Sequence, residues 1–230
     1  MSEFNQSIAR GNATSALSQV LAANKVLKNT YMLLALTLGF SALMAVAGYM
    51  VSAQFPQAGI VLYISCTIAA LVILFFVMPR YEESTGIGGL VCVFLFTGLL
   101  GFGLGPVLSK YLAMANGAKI VGSALAGTGV MFLALSAYAL TTKKRFNFLA
   151  GFLFAGFIVV LVAAIANIWL QLPAMSMAIS FVVILLMSGF ILYDTSAIIH
   201  GEETNYIRAT VGIYLSIYNI FTSLLSLLRD

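Results

Sequence analysis

Seven long apolar runs, separated by short polar joints, take up almost the whole chain after residue 29. Cut at charged or Pro/Gly-bearing positions, they cover residues 30–51, 58–78, 87–108, 118–140, 148–169, 173–199 and 210–228. A hydrocarbon core about 30 Å thick is crossed by roughly 20 helical residues, so each run predicts one spanning helix. Strands are excluded. A spanning barrel needs segments of about ten residues that alternate apolar and polar positions, whereas these runs are apolar on every side. A continuous helix also satisfies its own backbone groups in lipid. The pattern predicts an all-α, polytopic seven-transmembrane-helix bundle over residues 30–230, preceded by a polar cytoplasmic tail over residues 1–29. The joints leave no room for a soluble catalytic domain, so activity has to reside among the helices, in the short loops or in the tail.

Composition agrees with the bilayer as solvent. Only 8% of residues are charged, against about 25% in ordinary soluble domains. With the N-terminus inside, Arg10, Lys25, Lys28, Arg80, Lys143, Lys144, Arg145 and Arg208 face the cytoplasm, and only Lys110, Lys119 and Arg229 lie outside. That asymmetry predicts N-in and C-out. The net charge of +4 is therefore a topology signal, and the scatter of basic residues over separate loops argues against nucleic acid as a partner. Ala45-Val46-Ala47 imitates a signal-peptide cleavage site, but the polar stretch before it is far longer than an ordinary leader's basic region, so the first span is expected to be an uncleaved anchor. Cys66 and Cys92 fall mid-membrane and are expected as small packing residues.

Catalytic motifs fail one by one. His200-Gly201-Glu202 starts a zinc-deaminase pattern, but no Pro-Cys-x-x-Cys follows. His200 is the single histidine, which excludes a His-Glu-x-x-His site, and no Gly-x-Ser-x-Gly elbow exists. Tyr193-Asp194 supplies half of an intramembrane aspartyl protease, whose chemistry needs two carboxylates sharing a proton. The chain is expected not to be an enzyme and to carry no cofactor or metal. Gly98, Gly101, Gly103 and Gly105, ahead of Pro106, lie within an apolar span, with Gly101 and Gly105 at the spacing of close helix contact. Gly151 with Ala155 is expected to act in the same way.

Polar chemistry concentrates on the last two spans. Gly212, Ser216, Asn219, Ser223 and Ser226 share one face of the seventh helix, which has to point into the bundle or toward water. It serves either as interhelical hydrogen bonding or as one wall of an aqueous, ion-binding cavity. Asp194 lies inside the sixth apolar run, about 7 Å from its cytoplasmic end at 1.5 Å per residue. An acid there either snorkels to the interface or finds partners, with Ser216, Asn219, Tyr193, Arg80 and Arg208 as candidates. Asp194, Ser216, Asn219, Arg80 and Arg208 form the expected gate or ion pathway.

Lys25-Val26-Leu27-Lys28-Asn29-Thr30-Tyr31, the stretch from Ala166-Asn167-Ile168 to Gln171-Leu172-Pro173-Ala174, and residues 200–221 beginning His200-Gly201-Glu202-Glu203 together resemble the Bax inhibitor-1 family of seven-helix membrane proteins. The resemblance implies this fold and, for some members, a pH-sensitive calcium leak gated by two aspartates on the sixth and seventh helices. Asp194 matches the first aspartate. Ser216 stands at the second, so the shared-proton latch is incomplete, and no arginine lies inside the second span. Within the family the likeness is greatest to a bacterial inner-membrane branch that modulates the membrane-anchored AAA+ metalloprotease FtsH. The implied partners are the lipid bilayer, an FtsH-type protease with its membrane regulators, and Ca2+ or H+. The tail's first residues, Met1, Ser2, Glu3 and Phe4, are the expected handle for the protease, because a segment rich in Ser, Asn, Gln and Ala suits flexible presentation.

Overall fold

The computed structural model describes residues 2–81, 87–142 and 144–229, with side chains from Val20 onward. Among these residues there is no strand. Seven helices are long and apolar enough to cross a bilayer. They are α1 (Ser2–Gln54), α2 (Pro56–Tyr81), α3 (Ile87–Leu112), α4 (Gly117–Thr142), α5 (Leu149–Leu170), α6 (Pro173–Ile199) and α7 (Tyr206–Arg229). Each predicted span is present, and Cys66 and Cys92 are free and buried.

The tail differs from expectation. The predicted flexible segment is helical from Ser2 and continuous with the first apolar span. The first thirty residues lack proline and are rich in alanine, and the membrane-embedded part of α1 provides the costly nucleus from which such a sequence propagates as helix. Ser2, Glu3 and Phe4 thus form the first turn of α1, while Met1 lies outside the described residues.

α3 and α7 are the most buried helices, and α2 and α5 the least. The largest core cluster joins Leu33 and Leu34 of α1, Val93 and Phe96 of α3, Ile198 of α6, and Ile207, Ile213 and Tyr214 of α7. Since lipid tails are as apolar as leucine, such contacts hold the bundle by close packing more than by the hydrophobic effect.

The tightest packing is between α1 and α3. Pro106 lies inside α3 and removes the N–H that would bond the Phe102 carbonyl. That carbonyl turns onto the Cα of Gly48, where a Cβ would overlap it. It is a close approach only glycine permits, with the geometry of a Cα–H to oxygen contact. A Cβ on Gly105 would strike the backbone of Gly48 and Tyr49, and one on Gly101 the backbone of Ser41. The contact predicted for Gly101 and Gly105 is therefore real. The one predicted for Gly151 is not: the space beside it is open. On that side Gly156 packs on Leu186 and Gly189 on Leu153, because the face of α5 that meets α6 is set by helix rotation, which residue spacing leaves free.

In α2 the Met78 N–H donates to Ile73 O, so the helix widens into a π turn over Ile73–Val77. This accommodates Pro79 in the next turn, where a regular helix would be broken.

Candidate functional site

The α6–α7 turn is built by local rules that the sequence displays. α6 ends where Gly201 adopts φ +70°. The Glu202 N–H donates to Ala197 O at 2.9 Å and the Gly201 N–H to Ile198 O at 3.1 Å, the pair of bonds that closes a helix on a left-handed glycine. Asn205 then caps α7, its Oδ1 accepting from the Ile207 and Arg208 amides at 2.9 and 3.4 Å. The neighbouring α4–α5 loop docks here too. The Phe146 N–H donates to Ser196 Oγ at 3.2 Å, and Ser196 O–H donates to Lys144 O at 3.0 Å. His200 has Nδ1 2.8 Å from Ser196 O, so this ring nitrogen carries the proton and donates. Reasoning from the chain alone missed Ser196, Asn205 and Gly201 as the frame of the site, although Gly after an apolar run and Asn just before the next are recognised stop and start signals.

Inside this frame Asp194 is half-buried and packs on Gly212, where a Cβ would lie 2.8 Å from Asp194 Oδ2. Asp194 lines a cavity of about 360 Å3 together with Tyr193, Glu202, Glu203, Arg208 and Gly212. Arg208 Nε is 3.9 Å from Glu203, and Arg145 pairs with Glu202 at 3.5 Å across to the α4–α5 loop. Asp194 has no hydrogen-bond or ion-pair partner among the described residues. The arrangement is an acid-lined inlet at the end of the bundle, with two of its carboxylates matched by guanidinium groups.

The other expected members separate. Ser216 is one turn deeper on α7 and almost fully buried, with its hydroxyl donating to Gly212 O at 3.1 Å. Asn219 Nδ2 donates to Leu215 O at 2.8 Å. Both side chains return to their own helix backbone, as Ser and Asn do when no cross-helix partner is in reach, and neither lines the inlet. Arg80 is exposed at the end of α2, whereas the inlet is lined by α6, α7 and the turn between them. Thus Tyr193 and Arg208 share the cavity with Asp194, and Arg80, Ser216 and Asn219 do not. Among the described residues, no three His, Cys, Asp or Glu side chains converge as metal ligands would.

Fold and site together define a polytopic membrane protein of seven helices with one acid set into the end of its sixth span. The chain belongs to the family described as inhibitor of apoptosis-promoting Bax1, which it matches over residues 23–230, in agreement with the resemblance read from the loop segments. It is 49% identical over 211 residues to the Escherichia coli K12 protein named modulator of FtsH protease YccA, with 92% of each chain covered. It is 52% identical over 215 residues to a Vibrio cholerae membrane protein, covering 94% of this chain and 93% of that one. A Pseudomonas aeruginosa protein is 44% identical over 213 residues, covering 93% and 92%.

Proposed function

We propose that this chain is a multi-pass protein of the bacterial inner membrane that binds an FtsH-type membrane protease and modulates it as a slow or competing substrate, with its N-terminus in the cytoplasm. The observation that carries this reading is the near-full-length identity to a protein named as a modulator of that protease. The fold supplies a physical basis. α1 extends as helix to Ser2, well beyond its apolar span, and offers a terminal segment to grip, whereas the same helix farther along is locked to α3 through Gly48 and Gly105. A protease that pulls on the terminus has to break that lock before α1 can leave the bundle, and a held but slowly processed chain occupies it.

Deleting residues 2–18 tests this, since Lys25 and Lys28 remain to hold the topology. The truncated protein is expected to live several-fold longer than the full chain in cells with active protease, and equally long without it. Equal turnover of both forms, unaffected by loss of the protease, removes the basis of the reading.

Orientation is tested separately. A reporter active only outside the cytoplasm should be silent when fused after Arg145 and active after Asp230. Activity at the Arg145 fusion reverses the topology and puts the tail beyond a cytoplasmic protease.

The inlet favours a second reading, a proton or cation leak with Asp194 as the titrating group. Asp194 is the one acid set into a span, and two further carboxylates share its cavity.

A further inference from the structure

In the half of the bundle away from the Asp194 inlet, α1 and α4 have little direct contact, and an apolar cleft of about 440 Å3 runs between them. Its floor is Tyr214 of α7 and Leu104 of α3, both buried, and its rim includes Val46 of α1 and Leu125 of α4, both more than half exposed. These rim positions lie within the apolar spans, about two helical turns from the helix ends that face away from the inlet, so the cleft opens sideways into the bilayer. Toward the inlet it is closed by Phe132, whose ring packs on Tyr31 at 5.9 Å.

Three features decide the occupant. First, of the four polar side chains on the cleft wall, Ser41, Thr128 and Tyr214 are already paired, which leaves the Tyr218 hydroxyl. Ser41 O–H donates to Tyr214 Oη at 2.7 Å, Tyr214 O–H donates to Thr97 O at 3.2 Å, and Thr128 O–H donates to Ala124 O at 2.7 Å. The single Tyr218 hydroxyl falls short of the roughly two to four partners a buried water needs, so the cavity stays dry. Second, the volume is small. Two turns of a helix treated as a cylinder about 10 Å across occupy about 850 Å3, so a partner helix cannot seat itself in the cleft. Third, among the described residues no charged side chain lines it, so the carboxylate of a free fatty acid has no counterpart.

We propose that this cleft is a binding site for one acyl chain of a membrane phospholipid, held as part of the packed bundle between α1 and α4. Its head group stays at the bilayer surface and the chain supplies the contact that the two helices do not make with each other.

The test uses full-length protein in vesicles of phosphatidylethanolamine and phosphatidylglycerol, with a diazirine midway along the sn-2 chain. The protein is transferred to lipid-free detergent to strip loosely bound lipid, illuminated, and mapped by peptide mass spectrometry. Peptides covering residues 42–46 and 121–129 should be labelled about tenfold more than the α5 peptide that carries the exposed Phe152 and Phe154, the ratio given by about 1.4 kcal/mol of preference for the site. Gly129 lines the cleft, and a Cβ there meets nothing within 4 Å. G129L fills the cleft without a clash and should reduce labelling to the α5 level. G122L, equally open but away from the cleft, should not change it. Should G129L elute as aggregate, V46W at the exposed rim blocks the mouth and is read in the same way. Uniform labelling, or full labelling in the blocked variant, overturns the proposal. So does cleft labelling by a diazirine fatty acid as strong as by the phospholipid, or a cross-link from the cleft to another polypeptide.

Discussion

G105L is expected to abolish accumulation of folded protein. The atoms that the new side chain meets are the backbone of Gly48 and Tyr49, which cannot turn aside as a flexible side chain would. Ordinary overpacking of a core costs about 1–3 kcal/mol, and a backbone collision between two helices lies at or beyond the upper end. Separating α1 from α3 would also leave the Phe102 carbonyl, already deprived of its helical donor by Pro106, without the contact it makes at Gly48. G48L should behave like G105L. G122L and G151L, where a Cβ meets nothing, should give wild-type yield and wild-type thermal stability by size-exclusion chromatography after heating. If G105L survives heating as well as G122L does, the α1–α3 lock is not what holds this bundle together. The explanation offered for slow extraction by a protease would then go with it.

The second large effect is expected at Asp194. In vesicles loaded with calcium and pH dyes, any flux through the wild-type protein should depend on pH, and D194N should remove that dependence, because the amide keeps the shape of the side chain against Gly212 but cannot ionise. Glu202 and Glu203 also face the inlet. Since Arg145 and Arg208 pair with them, E202Q and E203Q should shift the pH profile without flattening it. S216D puts a second acid one helical turn, about 5.4 Å, deeper than Gly212. Two acids that interact at such a distance titrate as a pair, so its profile should broaden into two steps. A pH profile kept intact in D194N would reduce Asp194 to a packing role beside Gly212, and absence of flux from the wild-type protein would dismiss the leak altogether. The protease reading is independent of either outcome.

Much of the molecule was legible from residues alone because the bilayer enforces simple rules. Seven runs of sufficient length had to be seven helices, since lipid admits only helices and closed barrels and a barrel needs short alternating segments. Gly101 and Gly105 could be read as a contact face because their spacing puts them on one side of a helix. Asp194 stood out because an acid inside an apolar run needs a reason to be there. What remained hidden depends on helix rotation and tilt. Depth counted along the chain set Asp194 beside Ser216, but α6 meets α7 at Gly212, where the missing side chain lets the carboxylate approach. Gly151 has the same spacing signal as Gly101 and faces open space, since nothing in a uniformly apolar helix says which side will meet a neighbour. Arg80 shares its side of the membrane with Asp194 in the predicted topology but is carried out of reach by a peripheral helix.

The amino-acid sequence by itself determined the solvent, the number and limits of the spans, the charge asymmetry and the single embedded acid, all of which follow from local composition and the length of a helix. Only the tertiary structure decided that Gly48 receives the carbonyl freed by Pro106, that Ser216 and Asn219 bond to their own backbone and stay off the inlet, and that α1 and α4 stand apart around an apolar cleft. These features arise where two helices cross, and the rotation of each helix about its axis is set by all of its neighbours together.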